Sequence, residues 1–367
     1  MQLRPVLARI VAIGLATVVT AACAIGADDG RPSGRDTAAP AANTQATRTA
    51  GSADDPVDYV VAISIDGLNP DAIRRLGREG APAFHRLMAE GATTLNARSA
   101  YERTITLPNH TGMVTGRRIT VAGGHRVTFN EDNGRTVHRS AGGYVASMFD
   151  VAHDRGRGTA FYSAKDKFNF LNRSWDGRHG ARDRVGRANG RDKIGRYFVA
   201  SEPTNVTRLV RRLHDDPDEL SFVHIAYPDR AGHAYGFMSP AYVRAVHSAD
   251  TQVGRILDAI TSDTRLRRHA AVVLTADHGG LGANHTDPTK KADYTVPFMV
   301  WGVGVARGAD LYDLNAGDRR EPGTSRPGYG GVQPVRNGEL ANLALDLLDL
   351  PRVPGSWFDA RQDLSVR

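Results

Sequence analysis

Three apolar runs in this chain each lead into a residue type that binds metal. Tyr59-Val60-Val61-Ala62-Ile63-Ser64-Ile65 leads into Asp66-Gly67. Leu220-Ser221-Phe222-Val223-His224-Ile225-Ala226 leads into Tyr227-Pro228-Asp229, with His233 four residues further on. Ala270-Ala271-Val272-Val273-Leu274-Thr275 is followed by Asp277-His278-Gly279-Gly280. Aspartate and histidine together suit zinc, and paired ions assist phosphoryl transfer by clamping the attacking and leaving oxygens. Taken singly, each segment is weak, since Asp-Gly after a strand is usually only a turn. Three such ends, two of them with a nearby histidine, point to one site.

Such chemistry needs a nucleophile. Thr106-Leu107-Pro108-Asn109-His110 opens an expected helix running from Pro108 to Thr115, since proline suits a first helical turn. That places the Thr106 hydroxyl at a helix N-terminus, where N–H groups and the helix dipole favour an anion. A metal there would stabilise the alkoxide that free threonine does not form at neutral pH. The competing reading makes Thr106 a helix cap and nothing more.

The elements that would position these residues alternate. Expected strands are 59–65, 158–163, 220–226, 270–275 and 296–301; expected helices are 70–90, 204–214, 239–261 and 337–348. Continuous apolar runs are typical of buried parallel strands, and the alternation implies an α/β fold with a largely parallel central sheet and helices on both faces. Ligands of such sheets bind beyond the carboxyl ends of the strands, so the three Asp-bearing ends would converge on one edge.

Together Asp66-Gly67, the Thr-x-Pro-Asn-His run at 106–110, Asp229-x-x-x-His233 and Thr275-Ala276-Asp277-His278-Gly279 resemble the alkaline phosphatase superfamily. Within it, the Thr-x-Pro-Asn-His form is most similar to the type I phosphodiesterase/nucleotide pyrophosphatase branch. The resemblance spans roughly residues 57–355. It implies an alkaline-phosphatase-like fold and two divalent ions, expected to be zinc. One ion would sit on Asp229 and His233. The other would sit on Asp66, Asp277 and His278, with Thr106 Oγ beside it. Asn130, five residues after His125, matches the asparagine that contacts a phosphoryl oxygen. In-line attack by Thr106 and a covalent phospho- or nucleotidyl-threonine would follow. The chain departs from the branch in one respect: the last histidine ligand of the first site usually lies far downstream, yet no histidine follows His285. His285, at the end of Gly279-Gly280-Leu281-Gly282-Ala283-Asn284, is therefore the candidate third ligand. His110 and His125 read as local structural groups, His224 as a satisfied core residue, and His247 carries no assigned role.

Composition sets the outer limits. The chain has 367 residues, 41% hydrophobic and 24% charged, as expected of a globular protein with a real core. Its formal net charge of +7 favours anionic partners or simply reflects an Arg-rich surface. No nucleic-acid-binding module is recognisable, so the expected partner is a small phosphate ester. Residues 1–23 read as a signal peptide: Arg4 and Arg9, an apolar run from Ile10 to Val19, then Thr20-Ala21-Ala22 before the single cysteine, Cys23. Small residues directly before that cysteine resemble a bacterial lipoprotein site, which makes Cys23 the candidate lipid anchor and the protein an exported one, in contact with a membrane only through that anchor. Residues 24–56 read as a flexible linker and 57–367 as a single catalytic domain. Within it, residues 165–196 hold ten Lys/Arg against four Asp and read as a basic, loop-rich insertion.

Substrate class divides the sequence signals. The Thr106 motif and Asn130 favour phosphodiesters or nucleotide pyrophosphates. Lys165-Asp166-Lys167 resembles a segment of some monoesterase and phosphonate-cleaving relatives, where two ammonium groups would favour a dianion. A transferase using an acceptor other than water, and a non-catalytic anion binder that keeps the fold, are the remaining alternatives.

Overall fold

The protein is described here by a computed structural model covering residues 56–186 and 189–367. The expected signal peptide at 1–23, Cys23 and all but the last residue of the expected linker lie outside the described residues. Residues 52–367 form one compact unit. Eight strands make one sheet: β1 (Tyr59–Ile65), β2 (Ala92–Arg98), β3 (Thr159–Ser163), β4 (Arg196–Val199), β5 (Leu220–Ile225), β6 (Ala270–Thr275), β7 (Thr295–Gly302) and β8 (Ala309–Asp310). They lie in the order β4-β3-β5-β1-β6-β7-β2-β8. From β4 to β6 every neighbouring pair is parallel, while β7 runs against both β6 and β2. The sheet is thus mixed but mostly parallel, an α/β fold with helices on both faces.

The apolar runs explain the central strands. Every residue of β5 and β6 is buried, as is all of β1 after Tyr59. Burying each Val, Leu or Ile contributes about 1.5–3 kcal/mol relative to leaving it in water. Polar β2, Ala-Thr-Thr-Leu-Asn-Ala-Arg, carries no such signature and escapes a sequence reading; it is held by pairing with β7 on one side and β8 on the other.

The helix expected at 70–90 is two helices, Pro70–Gly80 and Pro82–Glu90. Pro82 disfavours helical geometry in the residue before it, and Ala81 accordingly sits at φ −141, ψ 57. Pro240–Ser262 forms the expected long helix, capped by Ser239, whose side chain accepts from the Tyr242 N–H. The basic stretch 165–196 is not all loop. Asp166–Phe168 and Asn169–Ser174 are helical turns, and Phe168, Phe170, Leu171 and Trp175 are buried. Those apolar residues, not the surrounding charges, decide where its first third packs. Among the described residues no helix is long and apolar enough to cross a membrane.

Candidate active site

Four adjacent parallel strands, β3, β5, β1 and β6, deliver charged residues to one edge of the sheet. Asp66 follows β1 directly, and its N–H donates to the Ile225 carbonyl at the end of β5. Asp229 lies in the first turn of the helix Tyr227–Tyr235, where Pro228 leaves no N–H unpaired. Its own N–H donates to the Asp66 carbonyl at 3.1 Å, so main chain alone links the two strand ends. One helical turn on, His233 Nε2 stands 3.3 Å from Asp229 Oδ1. After β6, His278 Nε2 lies 3.3 Å from Asp277 Oδ2 and 3.4 Å from Asp66 Oδ1.

The loop after β6 carries His285 back to this edge. Its Nε2 is 3.2 Å from His233 Nε2 and 3.7 Å from Asp229 Oδ1, and its ring stacks on His278 at 3.5 Å. Asp229, His278 and His285 form one group able to hold an ion, and Asp66, Asp277 and His278 form a second. His278 stands between them.

A regularity runs through the three carboxylates. Asp66 Oδ2 accepts from Lys165 Nζ (2.6 Å) and pairs with His224 Nε2 (3.0 Å), while Asp66 Oδ1 has no partner. Asp277 Oδ1 accepts from the N–H groups of Gly67 (3.0 Å) and His278 (2.9 Å), while its Oδ2 has none. Asp229 Oδ2 accepts from Lys165 (2.5 Å), while its Oδ1 has none. In each, one oxygen is held by the protein and the other is buried without a well-formed hydrogen bond, the nearest donor to Asp229 Oδ1 being His233 Nε2 at 3.3 Å. His278 repeats the pattern: Nδ1 bonds the Gly279 carbonyl (2.9 Å) and Nε2 is unpartnered. Native proteins rarely leave buried polar atoms orphaned, because each costs about 1–3 kcal/mol. Four such atoms converging from Asp and His side chains fit divalent cations bound through oxygen and nitrogen.

Electrostatics agrees. Burial and the neighbouring Asp66 charge drive the Asp277 carboxyl well above the ordinary range. Burial would raise Asp66 too, but the Lys165 ammonium and His224 hold it well below that range. Burial pushes His278 down to about 3, leaving it neutral and competent as a ligand. Burial also lowers His285, whose Nδ1 bonds the Thr104 carbonyl at 2.7 Å, so its Nε2 lone pair faces inward.

Thr106 is the first residue of the helix Thr106–Thr115; the cap position is Ile105, and no side-chain cap is formed. Asn130 Oδ1 accepts from the Leu107 N–H at 2.9 Å. With its oxygen so engaged, the Asn130 amide nitrogen is left to donate elsewhere. Asn109 and His110 brace the start of this helix. Asn109 Nδ2 donates to the carbonyls of Arg103 and Ile105, and its Oδ1 accepts from the Ala100 N–H. His110 Nδ1 donates to the Thr106 carbonyl at 2.9 Å, and its Nε2 accepts from Ser64 Oγ at 2.8 Å. The same Nδ1 is 3.5 Å from Asp277 Oδ2, which places Thr106 one side chain away from the second ligand group. His125 accepts from the Val127 N–H, and His247 bonds the Gly80 carbonyl, so both shape turns. Lys165 reaches the cluster through Asp66 and Asp229, whereas Lys167 pairs with Glu131 at 3.0 Å.

Two residues escaped the sequence reading. Tyr242 Oη donates to the Gly67 carbonyl at 2.7 Å and accepts from the Asn69 N–H at 2.9 Å, pinning the loop that follows Asp66. Phe237 stands edge-on to His233, His278 and His285, with ring centroids 5.6, 6.5 and 5.4 Å away. Cβ atoms added to Gly67, Gly232 and Gly280 would come within 3.1, 2.6 and 2.4 Å of its ring. The available signal was the glycine pattern around the motifs.

Residues 60–297, well over half of the chain, match the family described as type I phosphodiesterase / nucleotide pyrophosphatase. A 2,3-bisphosphoglycerate-independent phosphoglycerate mutase 2 of Methanosarcina acetivorans is 27% identical over 171 residues, 44% of this chain and 26% of that protein. A GPI ethanolamine phosphate transferase 1 of Emericella nidulans is 28% identical over 123 residues, 31% of this chain and 12% of that protein. The chain thus spans about a quarter or less of the length of these curated relatives. Among solved structures, murine ectonucleotide pyrophosphatase / phosphodiesterase 5, an inactive variant in complex with AMP, superposes with a TM-score of 0.56 at 14% identity. That match covers 84% of this chain and 99% of the murine one. A 2-O GAG sulfatase superposes at 0.55 and 12% identity, over 80% of this chain and 71% of that one.

Proposed function

The chain belongs to the type I phosphodiesterase / nucleotide pyrophosphatase family, and from that premise we propose that it hydrolyses phosphodiester or nucleotide pyrophosphate bonds with Thr106 as nucleophile and two zinc ions as cofactors. The observation that carries this reading is the set of orphaned atoms, Asp66 Oδ1, Asp229 Oδ1, Asp277 Oδ2 and His278 Nε2, gathered at one sheet edge. One ion would be held by Asp229, His233 and His285, and the other by Asp66, Asp277, His278 and Thr106. Bound there, paired zinc ions supply charge that offsets what builds on the attacking and leaving oxygens.

The chain's own groups do the rest. Thr106 Oγ gives up its proton to solvent and bonds phosphorus while the bond to the leaving oxygen breaks; that oxygen takes up a proton. Water then attacks the phosphorus of the covalent intermediate and restores the Thr106 hydroxyl. Asn130 donates from its amide nitrogen to a non-bridging oxygen, and the helix N-terminus favours the developing charge.

Lys165 and Lys167 bear on the alternative, a monoesterase or phosphonate-cleaving enzyme. Both are engaged by carboxylates, Lys165 by Asp66 and Asp229 and Lys167 by Glu131, and this supports the diester reading. The test compares kcat/KM for bis-p-nitrophenyl phosphate and p-nitrophenyl phosphate with zinc present. Diester preference is expected. Monoester preference that collapses in Lys165→Ala and Lys167→Ala would overturn it, and phosphoryl transfer to an added alcohol in place of water would identify a transferase.

We assign the N-terminus to export, with Cys23 as a lipid anchor, from the residue pattern at 1–23. Cys23→Ala should move the protein from the membrane to the soluble fraction; a wild type that is already soluble removes the anchor.

A further inference from the structure

His224 sits in the middle of an apolar strand, and no metal or substrate role falls to it from the sequence. It is completely buried. In the sheet it lies beside Ser64, two residues before Asp66 on the neighbouring strand. Its Nδ1 faces the N–H of Ala164 at 3.3 Å, just beyond the end of β3. A backbone N–H only donates, so Nδ1 carries the lone pair and the ring proton resides on Nε2. That proton points at Asp66 Oδ2, 3.0 Å away. The rings of Phe168 and His110 pack against the imidazole at centroid distances of 4.6 and 5.0 Å, so it has little room to rotate.

On the two-metal reading above, we propose that His224 is a positioning residue: by donating to Asp66 Oδ2 it decides which oxygen of Asp66 faces the metal. A carboxylate at the end of a strand can rotate about its last bond and present either oxygen, or both. A donor anchored in the adjacent strand removes that freedom and leaves Oδ1 as the single inward atom. Lys165 also donates to Oδ2, but through a long chain shared with Asp229, so it neutralises charge without fixing an orientation. The Ala164 N–H completes the chain, because it sets the tautomer that makes His224 a donor at all. This is the outer-shell logic by which metal ligands are oriented, here with the histidine holding the carboxylate.

Two substitutions separate the two ends of the ring. The side-chain oxygen of His224→Asn falls near the Nδ1 position and still accepts from Ala164, but its amide does not reach Asp66. The amide nitrogen of His224→Gln falls near the Nε2 position and donates to Asp66. Zinc affinity is measured by competition with a chelator in a His233→Ala background, where the site of Asp66, Asp277 and His278 dominates the titration. Unfolding of the metal-free variants is followed in parallel. His224→Asn should weaken zinc binding by about 10–100-fold, the usual effect of losing an outer-shell partner, and His224→Gln should restore most of it. Unchanged affinity in both variants with lower thermal stability would make His224 a packing residue and overturn the proposal; so would equal losses in both. Failure of the parent protein to bind two zinc ions would instead remove the two-metal reading beneath it.

Discussion

Thr104 and His285 hold each other twice. His285 Nδ1 donates to the Thr104 carbonyl at 2.7 Å, and Thr104 Oγ1 donates to the His285 carbonyl at 2.6 Å. The segment leading into Thr106 is thereby fastened to the loop that brings the last histidine back to the cluster. His285→Ala should reduce zinc binding from two ions to one, a loss larger than the about 10–100-fold that an outer-shell change produces. Thr104→Val, which removes only the hydroxyl, should fall within that smaller range. Metal analysis and chelator competition check both; unchanged zinc binding in His285→Ala would return this histidine to the loop.

Thr106→Ala should keep both ions and lose turnover by more than about 10³-fold, since the hydroxyl forms the covalent bond and no neighbouring group replaces it. Steady-state rates with bis-p-nitrophenyl phosphate, paired with zinc analysis, make the comparison. Substantial remaining activity would exclude Thr106 as nucleophile.

Gly232→Ala introduces a methyl group 2.6 Å from the Phe237 ring. Overpacking of this kind costs about 1–3 kcal/mol. The expected result is a lower unfolding temperature together with weaker zinc binding, because the displaced ring touches three histidines. An alanine variant with wild-type stability would mean that Phe237 yields without strain.

Glu339 and Asp359 share the Arg319 guanidinium at 3.2 and 3.1 Å. Burial pushes Glu339 up to about 7 and Asp359 up to about 8, the latter helped by the Glu339 charge. Folded protein therefore keeps protons that the unfolded chain releases near its ordinary carboxylate pKa. Their contribution is complete below that range and is lost as pH rises through about 7 and then 8. Melting temperatures of the metal-free protein should decline across that window, and Glu339→Gln should flatten the decline. A slope unchanged by this substitution would place the titration elsewhere.

The parts of this site legible in the sequence were those whose signal is local. An apolar run ending in Asp66, Asp229 or Asp277 states both the strand and the residue at its tip, and a parallel sheet then forces the tips together. His285 becomes a candidate only by asking which histidine remains for the ligand that the family resemblance implies. Roles that depend on contact across elements were not legible. Nothing near Tyr242 in the chain says that a long helix will point its hydroxyl at the Gly67 carbonyl. A lone histidine in an apolar strand gives no sign of facing Asp66. The strand β2 carries no legible signal because its polar residues break the apolar pattern, and the break at Ala81, imposed by Pro82, falls inside a stretch that reads as one helix over 70–90.

Gly67, Gly232 and Gly280 lie in three separate segments, yet each is adjacent to the same aromatic ring. Their freedom to vary is nevertheless unequal. A side chain gained at Gly232 meets only the ring, so it becomes tolerable if position 237 shrinks, whereas Gly67 (φ +69) and Gly280 (φ +151) hold backbone conformations that strain any side chain. Drift at 232 and 237 is therefore epistatic: a substitution at 232 that is harmful alone is accommodated once a smaller residue has arrived at 237, while 67 and 280 stay fixed by their backbone.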